Sequence, residues 1–349
     1  MKETLFGKTL EGLRSVAEAE GLPRYAAQQL ARWLYDKRVD SFAAMTDLSK
    51  EARQRLGERY EVGLAAPLSV QVSADGTKKY LFPAGRGRYI ETAYIPERDR
   101  HTLCVSTQVG CKMGCTFCMT GRQGFHGQLT AGEILNQVVS VPESRQLTNI
   151  VYMGMGEPLD NLEAVLQSLE ILTAPWGFGW SPRRITVSTI GLLPAVQTFL
   201  EHSQAHLAIS LHSPFEEERA RLMPVQRKHP IRKIIDLVKQ YDWHGQRRIS
   251  FEYILFKGLN DTPAHVKELA RLLNGLKCRI NLIRFHAIPG SDLQSPSPTE
   301  VEAFRDRLRA KGIVTTIRRS RGQDIDAACG LLSTAEREKH RTTGKPDGS

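Results

Sequence analysis

The chain has no run of about 18 apolar residues, so nothing in it reads as a membrane span. Its start, Met1-Lys2-Glu3-Thr4-Leu5-Phe6, lacks the long apolar core of a secretory signal, which makes the cytoplasm the expected compartment. A structural disulfide framework is not expected in a cytoplasmic chain of 349 residues. The six cysteines (Cys104, Cys111, Cys115, Cys118, Cys278 and Cys329) therefore point to metal binding or thiol chemistry. Also missing is a fourth Cys or His at customary zinc-finger spacing from the three that cluster, although Cys104 or His126 could be offered as one.

Hydrophobic residues make up 41% of the chain and charged residues 25%, as in an ordinary globular protein. The length suits one large domain with a smaller one appended. Lysine and arginine exceed the acidic residues, for a net charge of +10. Much of the excess falls in short clusters: Arg183-Arg184, Arg227-Lys228, Arg232-Lys233, Arg247-Arg248 and Arg318-Arg319-Ser320-Arg321. Converging in space, they would form a phosphate-binding surface; scattered, they are a solvated exterior.

Residues 1–62 read as a helical unit. Leu10, Leu13, Val16 and Ala17 make one apolar stripe, Leu30, Trp33 and Leu34 belong to another, and Gly21-Leu22-Pro23 separates them. A third helix is expected over Ser49–Arg59. Residues 63–100 read as a small antiparallel adaptor with strands at 68–72, 79–82 and 90–95, turned at Asp75-Gly76 and Gly85-Arg86-Gly87. From 101 to 333 strand and helix alternate. Strands are expected at 102–107, 149–153, 184–189, 207–211, 248–255, 279–285 and 313–317. Helices are expected near 131–140, 161–173, 192–202, 230–242, 262–274 and 299–310. Repeated β-α units imply an α/β fold with a parallel sheet closed as a partial (β/α)6 barrel, whose chemistry sits at the C-terminal strand ends. Residues 334–349 are polar and read as a disordered tail.

The segment Cys111-Lys112-Met113-Gly114-Cys115-Thr116-Phe117-Cys118 follows the first strand of the repeats in a C-x3-C-x2-C pattern. Three thiolates can hold three irons of a 4Fe–4S cubane and leave the fourth open. An open iron can chelate the amino and carboxylate groups of S-adenosylmethionine (SAM), whose reductive cleavage yields a 5′-deoxyadenosyl radical. The competing reading is a zinc site.

With Val109-Gly110 before the triad and Met119-Thr120-Gly121 after it, the chain resembles the radical SAM superfamily. Met153-Gly154-Met155-Gly156-Glu157-Pro158, Ser210-Leu211-His212 and the outer cysteines Cys104 and Cys329 make it similar, more closely, to the RlmN-type adenine carbon-2 RNA methyltransferases. The resemblance runs from the helical N-terminus to Cys329. It implies methylation of carbon-2 of one adenosine in 23S rRNA and of adenosine-37 in tRNA, with 23S rRNA and tRNA as partners. It also implies two SAM per turnover, and an electron donor such as flavodoxin or ferredoxin; a monomer is the default expectation.

The resemblance implies roles as well. Cys111, Cys115 and Cys118 hold the cluster; Cys329 is the thiol that becomes S-methylated; Cys104 is the resolving thiol of a transient disulfide with Cys329. Glu91 takes the position of a proton acceptor, with Cys104 as its rival. Gly156, Glu157, Ser188, Ser210, Leu211, His212 and His286 line the SAM pocket. Many relatives carry Pro, an aromatic and Asn where this chain has Arg284-Phe285-His286, so His286 stands in for the last of them. Cys278 matches no motif and reads as a packing residue. Two alternatives stay open: methylation of carbon-8 of the same rRNA adenosine, and a non-enzymatic, metal-stabilised RNA-binding module.

Overall fold

The computed structural model describes residues 2–332 and 334, apart from 86 and 246. The expected tail lies, from 335 onward, outside the described residues.

The N-terminal unit is held by a short parallel pair, β1 (Glu3–Thr4) beside β2 (Tyr60–Glu61). Between them run α1 (Leu10–Ala19), α2 (Ala26–Ala31), which continues as a π-helical segment over Arg32–Lys37, and α3 (Lys50–Arg59). Thr9 and Ser49 begin α1 and α3 by accepting from Gly12 and Ala52 N–H, which gives otherwise orphaned donors a partner. The stripes bury Leu13, Val16, Ala17, Leu30 and Leu34. The unit then packs on the barrel through Tyr35, whose ring lies 5.5 Å from Phe6, 6.0 Å from Trp176 and 5.7 Å from Phe178.

β3 (Ser69–Val72), β4 (Lys78–Pro83) and β5 (Tyr89–Glu97) form the expected antiparallel meander. It is no separate adaptor. The two-residue link Arg98-Asp99 turns β5 straight into β6 (Arg100–Cys104), with Ala93 opposite Cys104, so the meander extends the main sheet. The chain next leaves the sheet for a hairpin of β7 (Gln108–Gly110) and β8 (Phe125–Gln128). It returns as β9 (Asn149–Tyr152), β10 (Ile185–Thr189), β11 (His206–Ser210), β12 (Ile249–Leu255), β13 (Arg279–Arg284) and β14 (Val314–Ile317). The ten strands run β14-β13-β12-β11-β10-β9-β6-β5-β4-β3, and β6 with β9–β14 are mutually parallel. Among the described residues β14 and β3 do not pair, so the barrel is partial, as expected.

The covering helices are α4 (Met119–Gln123), α5 (Ala131–Val139), α6 (Leu162–Thr173), α7 (Leu193–His202), α8 (Glu216–Leu222), α9 (Ile231–Val238), α10 (Pro263–Leu272) and α11 (Pro298–Ala310). Thr130 with Glu133 and Ser297 with Glu300 form capping boxes at α5 and α11. The helix expected over 230–242 stops at Val238, where the Trp243 indole N–H takes the Val238 carbonyl at 2.7 Å. Among the described residues no helix is long and apolar enough to cross a membrane.

Strand alternation divides the sheet. Leu103, Ile150, Val187, Leu207, Phe251 and Ile280 are buried beneath the helices. Their neighbours Cys104, Thr186, Ser188, Ser210, Glu252 and Asn281 face the other way and line an interior cavity. A barrel filled by side chains would be apolar inside; this one keeps an open cavity with polar and charged side chains set among apolar ones.

The docking of the helical unit leaves no room at Gly132, where a Cβ would stand 2.4 Å from the Phe6 carbonyl oxygen. Gly132→Val is expected to destabilise the protein by about 1–3 kcal/mol. Urea unfolding measures it, and an unchanged midpoint would show that this contact does not hold the unit.

Candidate active site

The cysteine triad occupies the loop between β7 and β8. Cys111 N–H donates to the Gly124 carbonyl at 2.8 Å, closing the loop at its base, and α4 forms its second half. Other segments then fix its direction. Thr116 N–H donates to Leu222 at the end of α8 (3.0 Å), Met119 N–H to Gly330 (2.8 Å) and Thr120 Oγ1 to Leu332 (2.6 Å). The three thiols are free and line one wall of a cavity of about 1220 Å³.

Their surroundings fit a cluster. Burial pushes all three thiols up, Cys111 to about 12, and for Cys115 charge on Cys118 and Cys111 adds to the effect. Such thiols stay protonated at neutral pH unless a metal takes them as thiolates. Three thiols on one wall at this spacing fit a 4Fe–4S cluster, in which each thiolate would bind a different iron. Phe117, between the second and third of them, lies edge-on to His212 at 4.9 Å and 5.6 Å from Phe256.

The opposite wall is made by the C-terminal ends of β9–β13. Gly156 has φ +99°, and a Cβ there would meet Gln108 at 2.5 Å, so only glycine lets this turn lie against the β7 strand. Glu157 is buried and its carboxyl is raised to about 7, chiefly by burial. Its oxygens already accept from Thr189 Oγ1 (2.6 Å), Ile190 N–H (2.9 Å) and Leu159 N–H (3.1 Å). A carboxylate has about four acceptor positions, so one remains for a cation in the cavity. Ser188, Ser210, His212 and His286 line the same space. Leu211 does not: its side chain is fully buried and only its backbone takes part, donating to Glu252 and accepting from Arg219.

His212 sits at φ +55°. Its carbonyl accepts from Asn260 (2.6 Å), and its Nδ1 accepts from Ile254 N–H (3.0 Å). Burial, then the Arg219 charge, pushes the imidazole down to about 3, so it is neutral with its proton on Nε2. His286 is also lowered, by burial and then Arg284.

Cys104 and Cys329 reach the same cavity from opposite ends of the sequence. Cys104 packs with Ala93, Val151 and Ala327, and its thiol is pushed up to about 12, first by burial, then by charge on Cys329. Both thiols are free. The loop before Cys329 is anchored to the β3–β4 turn: Asp324 accepts from Ser73 Oγ (2.5 Å) and Ala74 N–H (3.0 Å), and Asp75 from Gly322 N–H (3.0 Å). Glu91 is buried on β5 and paired with Lys79 at 3.2 Å; it is not on the cavity wall.

Two residues escaped the sequence reading. Arg219, in the acidic-looking α8, is fully buried and donates to Leu211 (3.1 Å), Gln226 (2.6 Å), Ile190 (2.7 Å) and Ser210 (2.9 Å). Nothing in a Glu-Glu-Glu-Arg run signals this. Arg318 extends β14 by donating from its backbone to Leu282 (2.8 Å). Its guanidinium lies 3.1 Å from Met153 Sδ and 3.7 Å from Glu252 Oε2, and charge on Cys329 is the main cause that raises its pKa. The signal was there: strand alternation puts Arg318 on the inward side with Thr316.

The geometry has counterparts among known proteins. Residues 105–273 match the model of the radical SAM superfamily, and residues 4–62 that of the ribosomal RNA large subunit methyltransferase N-terminal domain. The probable dual-specificity RNA methyltransferase RlmN of Parabacteroides distasonis is 57% identical over 335 residues, covering 96% of this chain and 98% of its own. The dual-specificity RNA methyltransferase RlmN of Syntrophotalea carbinolica is 42% identical over 348 residues, covering 98% and 94%. The crystal structure of a radical SAM methyltransferase from Sphaerobacter thermophilus superposes with a TM-score of 0.89 at 43% identity, covering 95% of this chain and 99% of that one.

Arg219→Met removes the donor of the Ile190 and Ser210 carbonyls, while Leu211 keeps Ser213 N–H and Gln226 keeps Ile231 N–H. The substitution is expected to cost about 3 kcal/mol or more, read by urea unfolding, and to weaken SAM binding by calorimetry. Wild-type values for both would remove Arg219 from the architecture of the site.

Proposed function

Because the chain belongs to the RlmN family of radical SAM RNA methyltransferases, we propose that it methylates carbon-2 of one adenosine in 23S rRNA and of adenosine-37 in tRNA. One observation carries the reading: Cys104 and Cys329, 225 positions apart in the sequence by their numbers (329 − 104), share the cavity of the cysteine triad. A SAM-cleaving site alone would not need them.

Carbon-2 of adenine lies between two ring nitrogens and is electron-poor, so a methyl cation equivalent finds no nucleophile there. When bound, a 4Fe–4S cluster on Cys111, Cys115 and Cys118 supplies the electron for reductive SAM cleavage, and two SAM per turnover supply the methyl group and the adenosyl radical. Gly156, Glu157, Ser188, Ser210, His212 and His286, with the Leu211 backbone, orient the SAM. Cys329 acts first as nucleophile, taking a methyl group on sulfur. Loss of a hydrogen atom leaves a carbon radical that adds to carbon-2, tethering the base to Cys329. A base must remove the carbon-2 proton: Cys104 stands on the cavity wall, whereas Glu91, its rival, would have to leave Lys79 and turn into the cavity. Cys104 then attacks the Cys329 sulfur, and the methylene carbon takes a proton and leaves as the methyl group of the base. The surplus electron of the adduct passes back to the electron donor, and the disulfide is reduced before the next turnover. The base must be unstacked to enter the barrel. A flavodoxin- or ferredoxin-type donor fits the electron demand.

Arg318 stands beside this pair, and its charge acts against the burial that raises the Cys104 thiol. Arg318→Met is expected to slow attack by Cys104, and so release of the base from Cys329, about tenfold, equivalent to about 1.4 kcal/mol. Mass spectrometry of the Cys329 peptide reads it, and Arg318→Lys should recover part of the rate. An unaltered rate in the methionine variant would exclude the role.

The test of the function is anaerobic turnover with an rRNA fragment and a tRNA transcript, followed by mass spectrometry of digested RNA. Methylation at carbon-2 is expected, and none with Cys329→Ala. Normal turnover by the alanine variant would sink the covalent route; a methyl group at carbon-8 would sink the assigned position.

A further inference from the structure

At its other mouth, formed by the N-terminal strand ends, the same cavity is bordered by cations that the chemistry above does not use. Arg183 precedes β10, His206 opens β11, Arg248 precedes β12 and Arg279 opens β13, and all four line the cavity. The sheet register sets them side by side: Thr186 lies opposite His206, Leu207 opposite Ile249 and Ser250 opposite Arg279. At about 4.8 Å between neighbouring strands, four strands span roughly 14 Å.

The neighbouring arginines show what a structural guanidinium does here. Arg184 donates to the Thr148 carbonyl (2.8 Å) and stacks on Trp180 (4.9 Å); Arg247 donates to the Leu200 carbonyl (2.9 Å) and lies over Phe199 (5.3 Å). Among the described residues the guanidinium groups of Arg183, Arg248 and Arg279 have neither a hydrogen bond nor an ion pair. Arg248 N–H donates to His206 Nδ1 at 3.0 Å, which leaves Nε2 to carry the ring proton. Burial first, then the charges of Arg248, Arg247, Arg279 and Arg183, lower His206 to about 4. The acidic residues Glu97 and Asp99 line the cavity from the β5–β6 turn, beyond β9. Like charges gathered without a counter-ion repel, and an arriving anion relieves the repulsion. Planar guanidinium forks match phosphate oxygens. The row is too long for one phosphate group and suits a strand carrying several.

We infer that this mouth of the barrel binds the phosphodiester backbone of the RNA substrate, at a second contact remote from the reacting base. The inference rests on the RNA methyltransferase reading above. Contacts of this kind are independent of sequence and weaken with salt, so they would add affinity and orientation without touching the chemistry.

The test compares wild type with a variant carrying Arg183→Ser, Arg248→Ser and Arg279→Ser, and with the corresponding triple lysine variant. Fluorescence anisotropy with a labelled tRNA transcript and an rRNA fragment is measured across a salt series. The serine variant is expected to bind about tenfold or more weakly, with the slope of log K against log salt shallower by about 2, from about 0.7 per phosphate lost. The lysine variant should keep most of the slope, and RNA-independent SAM cleavage should be unchanged in both. Unaltered affinity and slope in the serine variant would overturn the inference. So would equal losses in both variants accompanied by a lowered unfolding midpoint. Protection of the three arginines from phenylglyoxal by inorganic phosphate but not by RNA would assign the mouth to a free anion and equally overturn it. Failure of the wild type to bind either RNA would instead strike at the functional reading itself.

Discussion

A single buried guanidinium holds the working end of the barrel together. Arg219 takes the carbonyls of Ile190, Ser210 and Leu211, which lie where β10 and β11 end. Carbonyls at strand ends that pass beyond the ladder need a donor, and Arg219 supplies one to each. Burying the charge is costly unless every N–H finds an acceptor, and the Gln226 side chain supplies the fourth. Burial lowers Arg219 to about 10, still charged at neutral pH. The helix that carries it also presents Leu222, whose carbonyl receives Thr116 of the triad loop. The SAM-binding wall and the cysteine loop thus share one brace, and neither would keep its position without it.

The loop itself is short of internal support. Three residues separate Cys111 from Cys115 and two separate Cys115 from Cys118, too few to form a core of their own. Its outer contacts come from the C-terminal segment, where Gly330 and Leu332 accept from Met119 and Thr120. The same segment carries Cys329, so fixing the loop also sets the thiol near the triad. At its other end the segment is tied through Asp324 and Gly322 to Ser73, Ala74 and Asp75. This gives the β3–β4 turn a purpose that its position at the sheet edge does not suggest. For the Cys329 loop to swing, those anchors would have to break.

What could be read before the structure was whatever is local. Triad spacing is a property of eight consecutive residues, and strand and helix periods repeat within ten; most elements survived folding with ends moved by one or two positions, although the strand expected over 102–107 ends at Cys104. Helix 230–242 was read too long because its end is set by Trp243 reaching back, not by a Gly or Pro. The meander at 69–97 was recognisable as strands, yet nothing in alternation says which strand will be its neighbour, so its union with the main sheet was invisible. The meeting of Cys104 with Cys329 was expected only through family resemblance, since a buried strand cysteine and one in a late loop have no local signature. Arg219 was hidden for a related reason: a charged residue in charged company looks solvated, and only the fold reveals that it is buried. Arg318 differs, since alternation along β14 already sets it inward with Thr316.

The polarity of the barrel interior follows from the two ligands it is proposed to serve. SAM is a cation at sulfur and RNA is a polyanion, and both must approach one base within a single cavity. Glu157 and the cysteines stand at one mouth, the unpaired arginines at the other, with Arg318 between them beside the thiol pair. Mixed along the walls, these charges would cancel in ion pairs and present neither ligand with a field. Segregated, they give each its own region, because a low-dielectric wall focuses a field that water would screen. The parallel sheet makes this segregation simple. β6 and β9–β14 run the same way, so residues at their starts gather at one mouth and residues at their ends at the other. Within the arginine mouth the sign changes across the sheet, from Glu97 and Asp99 at the β5–β6 turn to the arginines before β10 and β12 and on β13.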